Sequence, residues 1–362
     1  MIKIIHFTSR NGKGGLERQV SEITQNSKNI NHIWVSLHYS KDNYVINDNL
    51  LYIISSNKLT KRIIEFNEIV NNFNPDVVVC WDVAPYIITL LSRGIKKYQI
   101  INASIRHGVF LKSKGGYLRM LVAHMSHYVL ANSQAGLRVN KINKGILLYN
   151  GVNERFNREK YLKFESKKKS DNFIFVSVMN LLPYKDYFTI FKALKHLKND
   201  GIKFKYYVIG EGQMRTYYDK YLISNDLSDN IILCGSVCNP EEYLAKADIF
   251  IHSSKGEGVS NAILEAMYMG LPIITTDTGG TLEILDGNAI TFSYQDYQAL
   301  YNALTTLIND EKLRKEMGEK SYLIVKNRFT VDHMIINYER IISAIINKNL
   351  SIISDLIYEC RK

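Results

Sequence analysis

Short apolar runs alternate with polar, helix-like stretches along this chain, and the alternation occurs twice. The first series comprises Ile2–Phe7, His32–Leu37, Leu50–Ile54, Asp76–Trp81, Gln99–Ala103, Tyr128–Ala131 and Gly145–Leu148. Runs of this length read as buried strands. Strands separated by helical segments require a mainly parallel sheet with helices on both faces. The pattern pauses at Asn157–Asn172, which is rich in Lys and Ser and lacks apolar periodicity, the signature of a linker. It restarts with Phe173–Val178, Phe204–Ile209, Asn230–Leu233, Asp248–His252, Pro272–Thr276 and Ala289–Phe292, and helices dominate from Tyr297 onward. A chain of 362 residues also exceeds what one hydrophobic core serves. The expected division is a domain over 1–165, a second over 166–330, and a helical tail over 331–362.

Composition narrows the class. The cysteines Cys80, Cys234, Cys238 and Cys360 are too few and scattered for a disulfide framework, and Cys234 and Cys238 lack a second ligand pair for zinc. No charged segment with an apolar run behind it precedes the first strand, and no apolar run reaches about 18 residues. The expected location is therefore cytoplasmic. The net charge of +11 belongs to the first half, with clusters at Lys58, Lys61 and Arg62, at Arg93, Lys96 and Lys97, and across Lys112–Arg119. The last cluster adjoins Tyr117, Leu118, Met120, Leu121 and Val122, and two readings stay open: a peripheral element for an anionic membrane surface, or a solvated face. Nucleic acid is disfavoured, because no helix-turn-helix, zinc-finger or aromatic-plus-basic signature is present.

The chemistry concentrates in Ser253–Glu283. A strand ends in a Gly-containing loop holding Glu257 and Gly258, and Ser260 is then placed as N-cap of an amphipathic helix that begins at Asn261 and carries Glu265. A helix N-terminus favours an anion, most often phosphate. Carboxylates beside a phosphate site are better used on the hydroxyls of something attached to that phosphate, such as ribose and a sugar. The turn Thr278-Gly279-Gly280 is expected to bring further backbone N–H groups toward the ligand. An ordinary strand-loop-helix unit is the bland alternative for the Glu pair alone. In the first half, Asn11-Gly12-Lys13-Gly14-Gly15-Leu16-Glu17 is not a dinucleotide fingerprint, since Glu17 takes the third glycine's place. Hydride transfer is thereby disfavoured.

The Ser253–Glu283 run resembles the nucleotide-sugar signature of glycosyltransferase family 4, retaining enzymes of the GT-B fold. Further landmarks stand in that family's order: Gly14-Gly15-Leu16-Glu17, Arg106-His107-Gly108, Asn150-Gly151-Val152, Pro183-Tyr184-Lys185-Asp186 and Ile209-Gly210-Glu211-Gly212. The resemblance implies an α/β protein of two Rossmann-like domains whose parallel sheets face a central cleft. The first domain would bind the acceptor and the second the donor, and the last helices would cross back to the first domain. It implies catalytic roles for His107, touching the donor sugar, for Lys185, neutralising the leaving diphosphate, and for Glu257, binding sugar hydroxyls. Glu265 would hold the ribose diol. Gly14, Gly15, Gly210 and Gly212 would supply close backbone approach to the donor, together with Gly258, Val259, Ser260 and Asn261. Asn180 stands where the family commonly has Arg, which removes one positive charge unless Arg10 or Arg106 replaces it.

The expected function is transfer of a sugar, with retention, from a nucleoside-diphosphate sugar, UDP-linked, to a hydroxyl of a bacterial surface polysaccharide or lipid-linked oligosaccharide. No metal and no cofactor beyond the donor co-substrate is expected. The alternatives are an epimerase or hydrolase of nucleotide sugars on the same fold, and a non-catalytic basic module for anionic lipid.

Overall fold

The computed structural model describes residues 1–41, 43–44, 50–92, 98–109, 112–161 and 172–359. Arg93, Lys96, Lys97 and Cys360 lie outside the described residues. Contacts divide the chain into two units, Met1–Gly151 with Val331–Lys362, and Val152–Thr330.

The first unit holds β1 (Ile2–Thr8), β2 (Ile30–Ser36), β3 (Leu51–Ile53), β4 (Val77–Cys80), β5 (Gln99–Ile105), β6 (Tyr128–Ala131) and β7 (Gly145–Leu147). They form one sheet in the order β3-β2-β1-β4-β5-β6-β7, and its paired strands run parallel. Side chains alternate faces along each strand. Ile4, Val77 and Val79 therefore join one buried cluster with Val331, Tyr338 and Ile342 of the helix Val331–Ile346. Ile5, Phe7, Val78 and Cys80 join the other, with Phe66 and Val70 of the helix Leu59–Phe73. Each such large apolar side chain, fully buried, contributes about 1.5–3 kcal/mol.

The second unit repeats the plan with β8 (Phe173–Val178), β9 (Phe204–Ile209), β10 (Ile231–Gly235), β11 (Ile249–His252), β12 (Ile273–Thr276) and β13 (Ala289–Phe292), ordered β10-β9-β8-β11-β12-β13 and again parallel. Both units use one local device. Asp76, just before β4, accepts the Lys3 amide of β1 at 2.8 Å, and Asp248, just before β11, accepts the Ile174 amide of β8 at 2.8 Å. Each acid locks the register of the central strand pair.

The expected break at 165/166 falls inside the second unit. Residues 162–171 lie outside the described residues, but the segment before them is tied down: Phe156 is buried, Arg158 pairs with Glu319, and Tyr268 bonds Glu154. Val152 bridges to Thr330, so the contact boundary lies at Gly151/Val152.

Candidate active site

In a doubly wound sheet, ligands bind beyond the carboxyl ends of the strands, at the point where strand order reverses. In the second unit that point lies between β8 and β11. The loop after β8 ends at Asp186, whose side chain caps the helix Tyr187–Asn199. The loop after β11 runs from Ser253 to Ser260, ahead of the helix Asn261–Tyr268. Backbone pairing joins the two loops: Lys185 bridges Ser254, the Asp186 amide donates to the Ser253 carbonyl (3.1 Å), and the Lys255 amide donates to the Tyr184 carbonyl (2.9 Å).

That pairing brings together side chains distant in sequence. Lys185 Nζ contacts Glu257 Oε1, and the other carboxylate oxygen lies 3.3 Å from His252 Nε2. Nζ is itself 3.5 Å from that nitrogen. The lysine side chain is 6% exposed and that of Glu257 22%, so the carboxylate is the open member of the group. Burial pushes the Lys185 ammonium down to about 7, against the pull of the carboxylate at its side. Burial and the neighbouring Lys185 hold the His252 imidazole well below its usual range, in the neutral form.

The helix Asn261–Tyr268 starts as the sequence suggested, but Ser260 occupies the N-cap without a side-chain capping bond. Glu265 is buried one turn in, Gly258, Val259 and Ser260 are buried, and Asn261 is half-buried. The Thr278-Gly279-Gly280 turn departs from expectation. The Gly280 amide donates to the Glu257 carbonyl (2.9 Å), so it serves the loop and not a ligand. Gly279 has φ +68°, and a Cβ there would lie 2.1 Å from that carbonyl oxygen. Only glycine lets this turn buttress Glu257 so closely. Gly210 and Gly212 likewise have a packing reason, since a Cβ at either would strike the Met179 or Leu181 carbonyl. Asn180, between those two residues, is exposed.

Gly14, Gly15 and His107 belong to the first unit. Gly14 is the N-cap of the helix Gly15–Asn26, and Glu17 folds back over it while accepting from Arg10 Nε (3.1 Å). His107 is half-buried in the loop after β5. Beside it the Arg106 guanidinium lies 4.6 Å from the Trp81 ring centroid and donates to Asn150 Oδ1 (3.2 Å). Lys185, Glu257, Glu265, Asn180, Gly210 and Gly212 belong to the second unit.

Sequence reasoning missed His252. Its signal was present: a polar imidazole ends an otherwise apolar central strand, Ile249–His252, at its carboxyl end. Among the described residues, no group of three or more His, Cys, Asp or Glu is placed to hold a metal ion.

The family described as glycosyl transferases group 1 matches residues 158–323, which include Lys185, His252, Glu257 and Glu265. That match covers a little under half of the chain and lies within the second unit. The chain is similar to the capsular polysaccharide biosynthesis glycosyltransferase CapM of Staphylococcus aureus, 27% identical over 48% of the chain. The chain spans only 45% of CapM's length. A Campylobacter jejuni enzyme, N-acetylgalactosamine-N,N'-diacetylbacillosaminyl-diphospho-undecaprenol 4-alpha-N-acetylgalactosaminyltransferase, is 24% identical over 89% of the chain and 94% of its own length. Among solved structures, Anabaena Alr3699/HepE in complex with UDP matches 95% of the chain and 100% of its own, with TM-score 0.81 and 16% identity. That likeness concerns the fold, which is GT-B.

Proposed function

We propose that this glycosyltransferase moves a sugar, with retention of anomeric configuration, from a UDP-sugar to a hydroxyl of a bacterial surface polysaccharide or of a lipid-linked oligosaccharide precursor. The observation that carries the reading is the Lys185–Glu257 contact at the switch point of the second sheet, beside a helix N-terminus. A buried cation and helix amides suit a diphosphate that gains charge as it leaves. A carboxylate open to solvent suits sugar hydroxyls, and the buried Glu265 suits the ribose diol. The diphosphate departs on the face from which the acceptor hydroxyl attacks, and one of its oxygens takes the acceptor proton. His107, Gly14 and Gly15 contribute from the first unit, touching the donor sugar and the diphosphate. UDP in the HepE complex and the glycan or lipid-linked substrates named for CapM and the Campylobacter enzyme support the donor and acceptor classes.

The test is a panel of nucleotide sugars screened by thermal shift, followed by transfer to candidate acceptors and NMR of the anomeric proton. A shift with one UDP-sugar and a retained anomer is expected. No shift with any nucleotide sugar would overturn the reading, and product formed without acceptor would favour an epimerase or hydrolase.

A lipid-linked acceptor calls for a membrane face, and the first unit supports one. Between Asp82 and Glu154 the chain carries no Asp or Glu. Within that stretch the helix Lys114–Met125 turns Tyr117, Leu118, Leu121 and Met125 outward, a stripe at helical spacing about 12 Å long. Lys112 and Lys114 stand at its N-terminus, where the helix dipole prefers an anion. The arrangement suits peripheral docking on anionic lipid, each lysine contributing about 1 kcal/mol. Co-sedimentation with vesicles should rise with phosphatidylglycerol content and fall with salt. Equal recovery on neutral vesicles would reduce the stripe to a solvated face.

A further inference from the structure

The structure assigns His252 a positioning role: its neutral imidazole holds the Glu257 carboxylate through Nε2–H, so that Glu257 keeps its orientation when Lys185 engages the donor. The inference rests on the donor-site reading above and adds a residue that the reading does not need.

The ring is 1% exposed at the carboxyl end of β11, and its two nitrogens face different chemistry. Nδ1 lies 3.5 Å from Oγ1 of Thr275, the fully buried residue opposite His252 in the β11–β12 register. Nε2 lies 3.3 Å from Glu257 Oε2. A neutral imidazole carries one N–H, and the environment selects its place. Thr275 has a hydroxyl and can donate to a bare Nδ1, whereas a carboxylate oxygen can only accept. A bare Nε2 would set a lone pair against the Glu257 oxygen at 3.3 Å and accept only from Lys185 Nζ at 3.5 Å, which is already engaged with Oε1. The tautomer that suits the nearer partner carries its proton on Nε2. The doubly protonated ring is disfavoured by burial and by Lys185 Nζ at 3.5 Å.

The two oxygens of Glu257 thus have different partners. Oε1 shares Lys185, a flexible ammonium for which a bound diphosphate competes, and Oε2 has a rigid ring anchored on a central strand. A partner that the donor cannot draw away fixes the carboxylate through the reaction, and small displacements of a positioning group cost rate steeply. The Gly280 amide on the Glu257 carbonyl holds the backbone of the same residue from the other side.

The test compares three substitutions. His252→Gln keeps an amide N–H near the Nε2 position, His252→Asn moves it to the Nδ1 position, and His252→Leu removes it. Single-turnover transfer should fall about 100-fold in His252→Leu and His252→Asn and recover substantially in His252→Gln. Affinity for free UDP should stay within about threefold in all three. Nitrogen-15 spectra of the resting wild-type protein should show a neutral ring protonated on Nε2 from pH 5 to 8. Equal loss in all three variants, a rise in KM with kcat unchanged, a proton on Nδ1, or a ring that titrates near 6.5 would overturn the assignment. The ring spectrum needs no donor, so it decides the role of His252 even if the wild-type protein transfers no sugar, and the two readings fail separately.

Discussion

Donor binding should take up a proton, because the cation meant for the diphosphate is only partly charged in the empty site. Lys185 titrates at about 7 under the effect of burial, against an ordinary value of 10.5. At pH 8 roughly one-tenth of the molecules then carry the ammonium. A diphosphate beside Nζ favours the charged form and pulls the pKa back up. Each donor bound at pH 8 should therefore take up about 0.9 proton. Between pH 7 and 8.5 the affinity should fall on the order of tenfold, as protonation becomes harder to supply. Calorimetry with a UDP-sugar in two buffers of different ionisation enthalpy measures the uptake directly. Lys185→Met should abolish both the uptake and the slope. No proton uptake in the wild-type protein, or uptake unchanged in Lys185→Met, would refute the argument. The first result would mean that Glu257 keeps the ammonium charged at rest.

The same shift has a sign in stability. The unfolded chain holds Lys185 at its ordinary value, so between about 7 and 10.5 the unfolded state binds more protons than the folded one. This group's contribution to stability therefore rises with pH across that window and is least below about 7. A donor that raises the folded value back toward 10.5 cancels the trend.

If Lys185 and the helix N-terminus at Ser260 supply the positive charge as proposed, transfer should persist in EDTA; loss on chelation with rescue by Mg²⁺ or Mn²⁺ would contradict that role. Glu265→Gln should weaken free UDP and UDP-sugar alike by about 1.5–3 kcal/mol. Glu257→Gln should leave free-UDP affinity nearly unchanged while lowering single-turnover transfer, and equal effects on UDP binding would reject the division of labour. Gly279→Ala should lower the melting temperature more than Gly201→Ala. Both sites have positive φ, costing an alanine about 1–2 kcal/mol, but only at Gly279 does the added carbon meet the Glu257 carbonyl.

Much of the fold was legible because strands buried on both faces announce themselves as apolar runs. Each expected strand is present, and most differ only at the ends. Asp76 and Asp248 were placed inside strands, whereas their side chains bond the neighbouring strand's amide and the strand proper begins one residue later. The domain boundary was less legible. A polar segment such as Asn157–Asn172 marks a weak pattern, but contacts set a boundary. Here Val152 pairs with Thr330, and Phe156 is buried, ahead of the polar stretch.

The site shows the same division between what a local pattern carries and what only packing supplies. Glu257, Glu265 and the helix start were readable because loop glycine, N-cap and amphipathic run lie within one short segment. The Lys185–Glu257 contact was not readable as a distance, since it depends on a backbone match between the loops after β8 and β11, strands that are neighbours only because the sheet order reverses between them. His252 was hidden for a related reason. As the last residue of an apolar strand it counts toward the core, and only the register opposite Thr275 and the return of Glu257 over the strand end make it a polar partner. The glycines run the opposite way. Expected to face the ligand, Gly279, Gly210 and Gly212 have a second reason to be glycine, since at each one loop's backbone passes against another's. Close approach is what glycine permits, and in the structure the protein's own chain makes such an approach at all three.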